Sequence, residues 1–331
     1  MMRYCYLLLL AACALRPALV LGQDPQFSQS YAVPLYVDPA LAGHTPRERA
    51  VLNCRLQWPG LHPGFETVMA SFDRASRKQP HGMGAYVMQD RTAGLKRTAL
   101  GAAYSHHVRV NRRLTARAGL QLGLGALGQA QSYLFGDQLL RDDAPTSVET
   151  GIVQRQRWFD AGAGALLHDE RSWAGLAAHH INRPRAGLRM DPEARMPVRW
   201  TVHGGHALPL DRMRLERSTS VLTLVALYKQ QGTWNQFDAG GYVQHGKLTA
   251  GCWYRGLPLL RNEPRGTNGS ESLVALLGIT TTGGLRVAYS YDMTLSRLGN
   301  RPGGAHEIAL VHEWSRRQPV KRHAMVPCPK F

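Results

Sequence analysis

Apolar and polar residues alternate with a period of two along most of the chain. In residues 157–168, RWFDAGAGALLH, Phe159 and Leu167 share one face with three alanines, while Asp160 and His168 lie on the other. Residues 285–292, LRVAYSYD, alternate in the same way. Because successive side chains of a strand point to opposite faces, this pattern predicts an all-β protein whose strands have one apolar face.

Clusters of Gly, Pro, Asn, Asp and Arg divide the pattern into segments of about ten residues. The segments predict fourteen strands, near 50–58, 66–74, 82–90, 98–108, 114–126, 156–168, 173–181, 197–207, 217–228, 234–245, 247–256, 270–279, 282–292 and 304–314. Connections such as 245–247 are tight, while 131–155 and 181–196 are long. We therefore predict a transmembrane antiparallel β-barrel of about 14 strands, with short periplasmic turns and long extracellular loops.

A soluble β-sandwich or β-propeller is the alternative architecture. Strands in such folds are usually about five or six residues long, shorter than the segments found here. Aromatic residues near segment ends, Trp158, Tyr254 and Trp314, fit the girdles that mark the two membrane interfaces. After the leader, no stretch reaches the ~18 consecutive apolar residues of a membrane-spanning helix. These features favour the transmembrane barrel.

The ends of the chain differ from the strand region. Arg3 and the apolar run after it predict a secretory signal peptide over 1–22, removed before Gln23, although Leu-Ala-Ala-Cys ending at Cys13 also has the form of a lipoprotein site. The domain prediction is then a strap over 23–48, a barrel over 49–315 and a tail over 316–331. The expected location is the outer membrane.

The charge of the chain is strongly positive. Forty basic and 23 acidic residues give a net charge of +17. In an exported protein this charge does not point to nucleic acid; it fits lipopolysaccharide and other anionic outer-membrane lipid, an acidic partner or a charged lumen. Cys54 and Cys252 are interpreted as small apolar residues packed on strands, since scattered cysteines in odd number form no disulfide framework.

No motif predicts catalysis, a cofactor or a metal. His106-His107 and His179-His180 are adjacent strand positions, whose side chains are expected to point to opposite faces and not to share an ion. The chain has no G-x-S-x-G nucleophile elbow. We assign no catalytic, cofactor-binding or metal-binding residue, and a barrel hydrolase is kept only as a minor alternative.

The segment before the first strand, QDPQFSQSYAVPLYVDPALAG over 23–43, has another character. Its prolines fix φ and remove hydrogen-bond donors, which predicts a rigid path that is not a strand, and its aromatic residues offer anchors. Two interpretations are open: a plug inside the barrel, or a docking surface for a periplasmic partner. The candidate residues for either role are Asp24, Pro25, Phe27, Ser28, Gln29, Tyr31, Pro34, Tyr36 and Pro39.

Four further short motifs lie near the two ends of the chain. R-x-Q-W is followed by S-x-D near the start, and Y-x-Y-D is followed by G-x-H-E-I near the end. The motif residues are Arg55, Gln57, Trp58, Asp73, Tyr289, Tyr291, Asp292, His306 and Glu307. Together with the proline-rich segment, these motifs resemble the PorP/SprF family, outer-membrane proteins associated with the type IX secretion system of Bacteroidetes.

The resemblance implies a fourteen-stranded outer-membrane barrel and a non-catalytic accessory role in type IX secretion and gliding motility. The implied partners are periplasmic and outer-membrane components of the secretion system, and a secreted cargo protein or surface adhesin. The protein would link the outer membrane to the periplasmic machinery, or help to export and anchor cargo. A general porin or channel is the main alternative.

Overall fold

A computed structural model describes residues 23–61, 64–76, 79–92, 94–129, 155–187, 195–211, 219–256, 272–295 and 303–314. Its strands are β1 Glu48–Gln57, β2 Phe65–Ala75, β3 His81–Thr92, β4 Leu95–Arg109, β5 Thr115–Gln129, β6 Arg155–His168, β7 Ser172–His179, β8 Arg199–Pro209, β9 Ser220–Gln231, β10 Trp234–His245, β11 Leu248–Arg255, β12 Ser272–Thr280, β13 Leu285–Thr294 and β14 Ala305–Trp314. These positions confirm the predicted strands to within about three residues.

The strands form one closed antiparallel barrel. Each strand pairs with its neighbours in the chain, and β14 pairs with β1 to close the barrel, with Arg55 opposite Glu307. The strand ends that the three longest connections join, at residues 129 and 155, 179 and 199, and 255 and 272, lie at the same end of the barrel, which we call the long-loop end. The other end, with tight turns such as that at Gly246 (φ 56°), is the short-turn end. In outer-membrane barrels these ends face the exterior and the periplasm.

The two faces of the wall have opposite chemistry. The outer face is apolar, with exposed side chains such as Leu120 and Leu277. The inner face carries charged side chains, among them Arg55, Arg199 and Glu307, all of which are buried in the lumen. An apolar exterior around a polar interior is the arrangement that a hydrocarbon environment selects. Within the described ranges, no helix is long and apolar enough to cross a membrane.

The strap lies inside the barrel. It forms a 3₁₀ turn at Ser30–Ala32, a short helix α1 at Pro34–Val37 and a second 3₁₀ turn at Pro39–Leu41. Prolines occupy the first positions of α1 and of the second turn, where their missing N–H groups leave no bond unmade. Contacts of Asp24 with residues at the long-loop end and of Gly43 with Asp73 at the other end show that the strap runs along the lumen.

Two expectations about individual side chains were wrong. Trp158 is no girdle residue: it points into the lumen, where the guanidinium of Arg97 lies 5.6 Å from its ring centroid. Position 158 has the same parity as Asp160, so the alternation already placed it on the inner face. Cys54 and Cys252 lie on strands as expected, but their free thiols are exposed on the outer face and not packed in a core.

Some expectations fall on residues outside the described ranges. These are the signal peptide at 1–22, the lipoprotein alternative at Cys13, most of the long loop at 131–155 and the tail at 316–331.

Candidate functional site

The lumen grips the first half of the strap (residues 24–29) through side chains that lie near the long-loop end. Glu307 on β14 is fully buried and accepts bonds from the backbone N–H groups of Ser28 (2.6 Å) and Gln29 (3.0 Å). The side-chain amide of Asn53 on β1 donates to the same carboxylate at 2.9 Å. One carboxylate therefore joins the strap to both strands of the closing seam.

Two arginines and an aspartate complete this grip. Arg55 donates to Asp292 at 2.8 Å and to the hydroxyl of Ser28 at 2.6 Å. Arg255 donates to the same carboxylate of Asp292 at 2.9 Å and to the carbonyl oxygen of Phe27 at 3.1 Å. Buried charges are tolerated when they are paired and hydrogen-bonded, and each of these groups has several partners. We call Arg55, Arg255, Asp292 and Glu307 the luminal clasp.

The start of the strap has its own anchor. The Asp24 carboxylate accepts from Arg97 at 2.7 Å and from Arg199 at 2.8 Å, and it lies 2.7 Å from Nε2 of His180. Burial alone would raise the pKa of Asp24, but His180, Arg97 and Arg199 together hold it well below its usual value of 3.8. Asp24 is therefore a carboxylate at neutral pH.

His180 lies between two carboxylates. Its Nδ1 is 2.9 Å from Asp160 and its Nε2 is 2.7 Å from Asp24. Burial alone would lower its pKa, but Asp24 and Asp160 raise it above 6.5. The expectation that the imidazoles of His179 and His180 point to opposite faces was wrong: β7 ends at His179, and His180 turns inward with φ of 59°.

The second half of the strap (residues 37–43) is held mainly by its backbone. Arg117 donates to the carbonyl oxygens of Ala40 (2.9 Å) and Ala42 (2.8 Å), and the hydroxyl of Ser105 donates to Ala42 at 2.7 Å. Asp73 accepts from the N–H of Gly43 at 3.1 Å. These wall residues satisfy strap carbonyl and N–H groups that would otherwise be buried without partners.

Three inward-facing glycines make room for this half. A Cβ atom at Gly119 would overlap the backbone of Pro39 and Ala40, one at Gly82 would overlap Ala42, and one at Gly164 would overlap the carboxylate of Asp38. The wall is smooth at these three points because glycine has no side chain, so the strap backbone approaches it closely. The second half therefore occupies a fitted groove.

Between the two halves, aromatic residues pack the strap against itself and the wall. The ring of Phe27 meets that of Tyr36 edge-on at a centroid distance of 5.2 Å, and Tyr31 lies 6.0 Å from Tyr242 of β10. The hydroxyl of Tyr36 donates to the carbonyl oxygen of Pro25, which folds the strap back on itself. Pro34 and Pro39 begin α1 and the second 3₁₀ turn.

The remaining motif residues lie around the clasp, and the hydrogen bonds described for them go to other wall residues and not to the strap. Gln57 accepts from Arg55 at 3.3 Å. Trp58 has φ of 52° just beyond β1, packs on Phe65 and donates its backbone N–H to Gly304. On the outer face the hydroxyl of Tyr289 lies 2.8 Å from His306, whose ring also packs on Tyr291.

Sequence reasoning missed most of the residues that hold the strap. Arg97, Arg117, Arg199 and Arg255 were not singled out, and His180 was considered only as part of an adjacent histidine pair. Arg117, Arg199 and Arg255 occupy the polar face of a predicted strand, and Arg97 lies one residue before another. A long charged side chain at an inward position of a barrel is the signal that would have found them.

These contacts define a class of protein: an outer-membrane β-barrel whose N-terminal segment is bonded along the inside of its lumen. A sequence model of the family described as type IX secretion system membrane protein PorP/SprF matches residues 20–311. The chain belongs to this family. No curated protein sequence matches it.

The chain is similar to several solved structures. The CymD monoaromatic hydrocarbon channel is similar with a TM-score of 0.53 and 12% identity, over 90% of this chain and 96% of that one. A deletion mutant of the TodX monoaromatic hydrocarbon channel has a TM-score of 0.47 and 11% identity, over 87% of this chain and 94% of that one. BamA from Haemophilus ducreyi lacking POTRA domains 1–3 has a TM-score of 0.42 and 10% identity, over 81% of this chain and 70% of that one. At 12% identity, the likeness to CymD shows a shared barrel architecture and no shared activity.

Proposed function

We propose that the protein is a non-catalytic accessory of type IX secretion whose lumen is closed by its own N-terminal strap. In this role the barrel is a membrane platform that links the outer membrane to periplasmic components or helps to export and anchor cargo. Its lumen is not the path of a secreted protein. Family membership supports the secretion role, and the position of the strap supports the closed lumen.

One observation carries the proposal: the family motifs at the two ends of the chain converge on the strap. Arg55 comes from R-x-Q-W, Asp292 from Y-x-Y-D and Glu307 from G-x-H-E-I, and together they bind Ser28. Groups so fully engaged with the protein itself are poorly placed to select a passing solute or to activate a nucleophile. The motif chemistry is that of holding a plug.

The same geometry favours the plug over the docking surface. The candidate residues Phe27, Gln29 and Tyr36 are buried, and within residues 24–43 only Pro25, Gln26 and Ser30 remain half-buried. A partner that reached the strap would find little of it to bind. We infer that periplasmic partners contact the short-turn end of the barrel, while the strap stabilises and closes it.

Deletion of residues 24–43 tests both parts of the proposal. The purified deletion variant should conduct ions in planar bilayers where the intact chain does not, and it should retain the mobility shift between unheated and boiled gel samples that marks a folded barrel. Export of type IX cargo should fall in cells that lack the whole protein. Steady conductance by the intact chain, with cargo export unchanged in its absence, would instead identify a porin.

A point variant distinguishes an open lumen caused by a released strap from effects of deleting twenty residues. Glu307→Ala keeps the strap sequence and removes its main acceptor, so it should raise conductance in the same direction as the deletion. Glu66→Ala, at an exposed ion pair with Arg91 on the outside of β2, should leave conductance unchanged.

A further inference from the structure

A cavity lies between the strap and the wall formed by β7 to β11. Its volume is about 50 Å³, and the space around it opens into the lumen. Apolar cavities of a few tens of Å³ or more have room for one compact molecule. Its lining is largely apolar and includes, from the strap, Tyr31, Val37 and Leu41 and, from the wall, Trp173, Val225 and Trp253.

The charged groups at the border of the cavity are already engaged. Asp238 accepts from Arg255 at 3.1 Å, and Nε2 of His203 lies 2.9 Å from the carboxylate of Asp38. The hydroxyl of Ser28 donates to Asp292 at 2.7 Å. Among the described lining residues, none therefore offers an uncompensated charge, and a charged ligand would lose its hydration without a partner.

Its apolar lining contrasts with the rest of the lumen. The clasp and the Asp24 anchor fill the long-loop end with arginines and carboxylates, whereas Val225 joins two separate hydrophobic clusters beside the cavity. Two tryptophans and two tyrosines supply flat apolar surface on which rings and methylene groups pack well. Shape and chemistry together describe a site for apolar material.

We propose that this cavity binds a compact, uncharged apolar molecule. Such a group has two sources, a free small compound or the end of a lipid acyl chain, and both have the same chemistry. Because the strap forms one side of the cavity, the occupant binds only the barrel with its strap in place and stabilises that state. The site does not depend on the proposed role in secretion, since binding is measured on the purified chain.

The probe is 1-aminonaphthalene, which is uncharged at neutral pH and brightens in apolar surroundings. It is titrated into the full chain in lipid nanodiscs, and the signal of empty discs is subtracted. Val225→Phe fills the cavity from the wall and should weaken binding at least tenfold. Leu224→Phe, the next residue on the same strand but on the outer face, should bind as the unaltered chain does.

A second filling variant guards against a folding defect. Val37→Phe enters the cavity from the strap, and every variant must first show the gel mobility shift of a folded barrel. Discs with brominated acyl chains identify the source: quenching that Trp253→Phe removes assigns the occupant to a lipid chain, and probe binding without that quenching assigns it to a free molecule. Equal binding and equal quenching in both filling variants and Leu224→Phe would overturn the proposal.

Discussion

The two halves of the strap are held inside the barrel by different kinds of contact. The first half is held by ionised side chains, with Asp24 in one cluster and Ser28 in the clasp of Arg55, Asp292 and Glu307. The second half is held by wall side chains that reach its backbone and by glycines that let it approach. The first half depends mainly on paired charges. The second half depends mainly on a close fit to its backbone, with one side-chain contact between Asp38 and His203.

This difference teaches where each half is vulnerable. A charged network tolerates small shifts of its members but is strongly weakened when one member is removed and its partners stay buried. A groove fitted to a backbone depends less on the strap's side chains, but it has no room for a single added carbon. Variants in the two halves should therefore differ in how much stability they lose and in which residues lose protection from exchange.

The largest effect is expected from Glu307→Ala. The change leaves the N–H groups of Ser28 and Gln29 and the side chains of Asn53 and Arg55 without their shared acceptor. Removing one partner of a buried charged pair costs about 3 to 5 kcal/mol, so the temperature of the gel mobility shift should fall markedly. Hydrogen exchange at residues 24–29 should rise with it.

Glu66→Ala is the matched control for that variant. Glu66 and Arg91 are 3.4 Å apart on the surface, and both side chains are about half exposed. Exposed pairs contribute about 0 to 1 kcal/mol, so stability should hardly change. Equal losses of stability in the two variants would show that the luminal clasp stabilises the protein no more than an exposed ion pair does.

Gly119→Ala should have the next largest effect, through shape alone. The new methyl group would overlap the backbone of Pro39 and Ala40, and we expect a loss of about 1 to 3 kcal/mol as the strap is pushed away. Exchange should rise at residues 37–43 and not at 24–29. At Gly278, also on the inner face, the nearest atom is the Ala288 methyl at 3.3 Å, a tight contact that a shift of a few tenths of an ångström would relieve, so Gly278→Ala should cost less than Gly119→Ala.

His180→Gln should have a smaller, pH-dependent effect. The pKa of His180 is raised above 6.5, so its contribution is complete below pH 6.5 and is lost as pH rises through the raised value. The pKa of Asp24 is lowered, so its contribution is present above pH 3.8 and is lost as pH falls through the lowered value.

The Asp24 anchor is therefore strongest between these two limits. In the unaltered chain, the protection of amides near residue 24, measured as exchange relative to the intrinsic rate at each pH, should be greatest in this window and fall toward alkaline pH. His180→Gln should remove that alkaline fall in protection while the groove around residues 37–43 keeps its protection. An alkaline fall in protection that persists in the variant would assign the effect to another group.

The smallest effect is expected from Tyr289→Phe. Its hydroxyl lies 2.8 Å from His306 on the outer face, remote from both halves of the strap. A single exposed hydrogen bond contributes about 0.5 to 1.5 kcal/mol at most, and no change in strap exchange should accompany its loss. A change in hydrogen exchange of the strap amides would show that this outer-face contact also helps to hold the strap.

The strand positions could be predicted because alternation is a local property. Each strand carries its own pattern, so the faces of Phe159 and Asp160 are visible in a dozen residues. The signal that the strap is not a strand was equally local, since Pro25, Pro34 and Pro39 are incompatible with a central strand. No long-range contact was needed for either prediction.

The partners of the strap could not be predicted, because they are set by the closure of the barrel. Ser28 and Glu307 are 279 positions apart, and nothing in the neighbourhood of either residue names the other. The alternation along the strands places Arg117 and Arg199 on the inner face, but their partners depend on the position of the strap along the lumen. His180 was misjudged because β7 ends at His179, two residues before the predicted end of that strand at 181.

The pairing of β1 with β14 couples two events of assembly. Ser28 precedes β1 and Glu307 lies on β14, so their contact joins parts of the chain that are 279 positions apart. Because Glu307 also accepts from Asn53 of β1, its contacts with the strap and with the facing strand are complete only when β1 and β14 are paired. Closure of the barrel wall and fixation of the strap are therefore parts of one event.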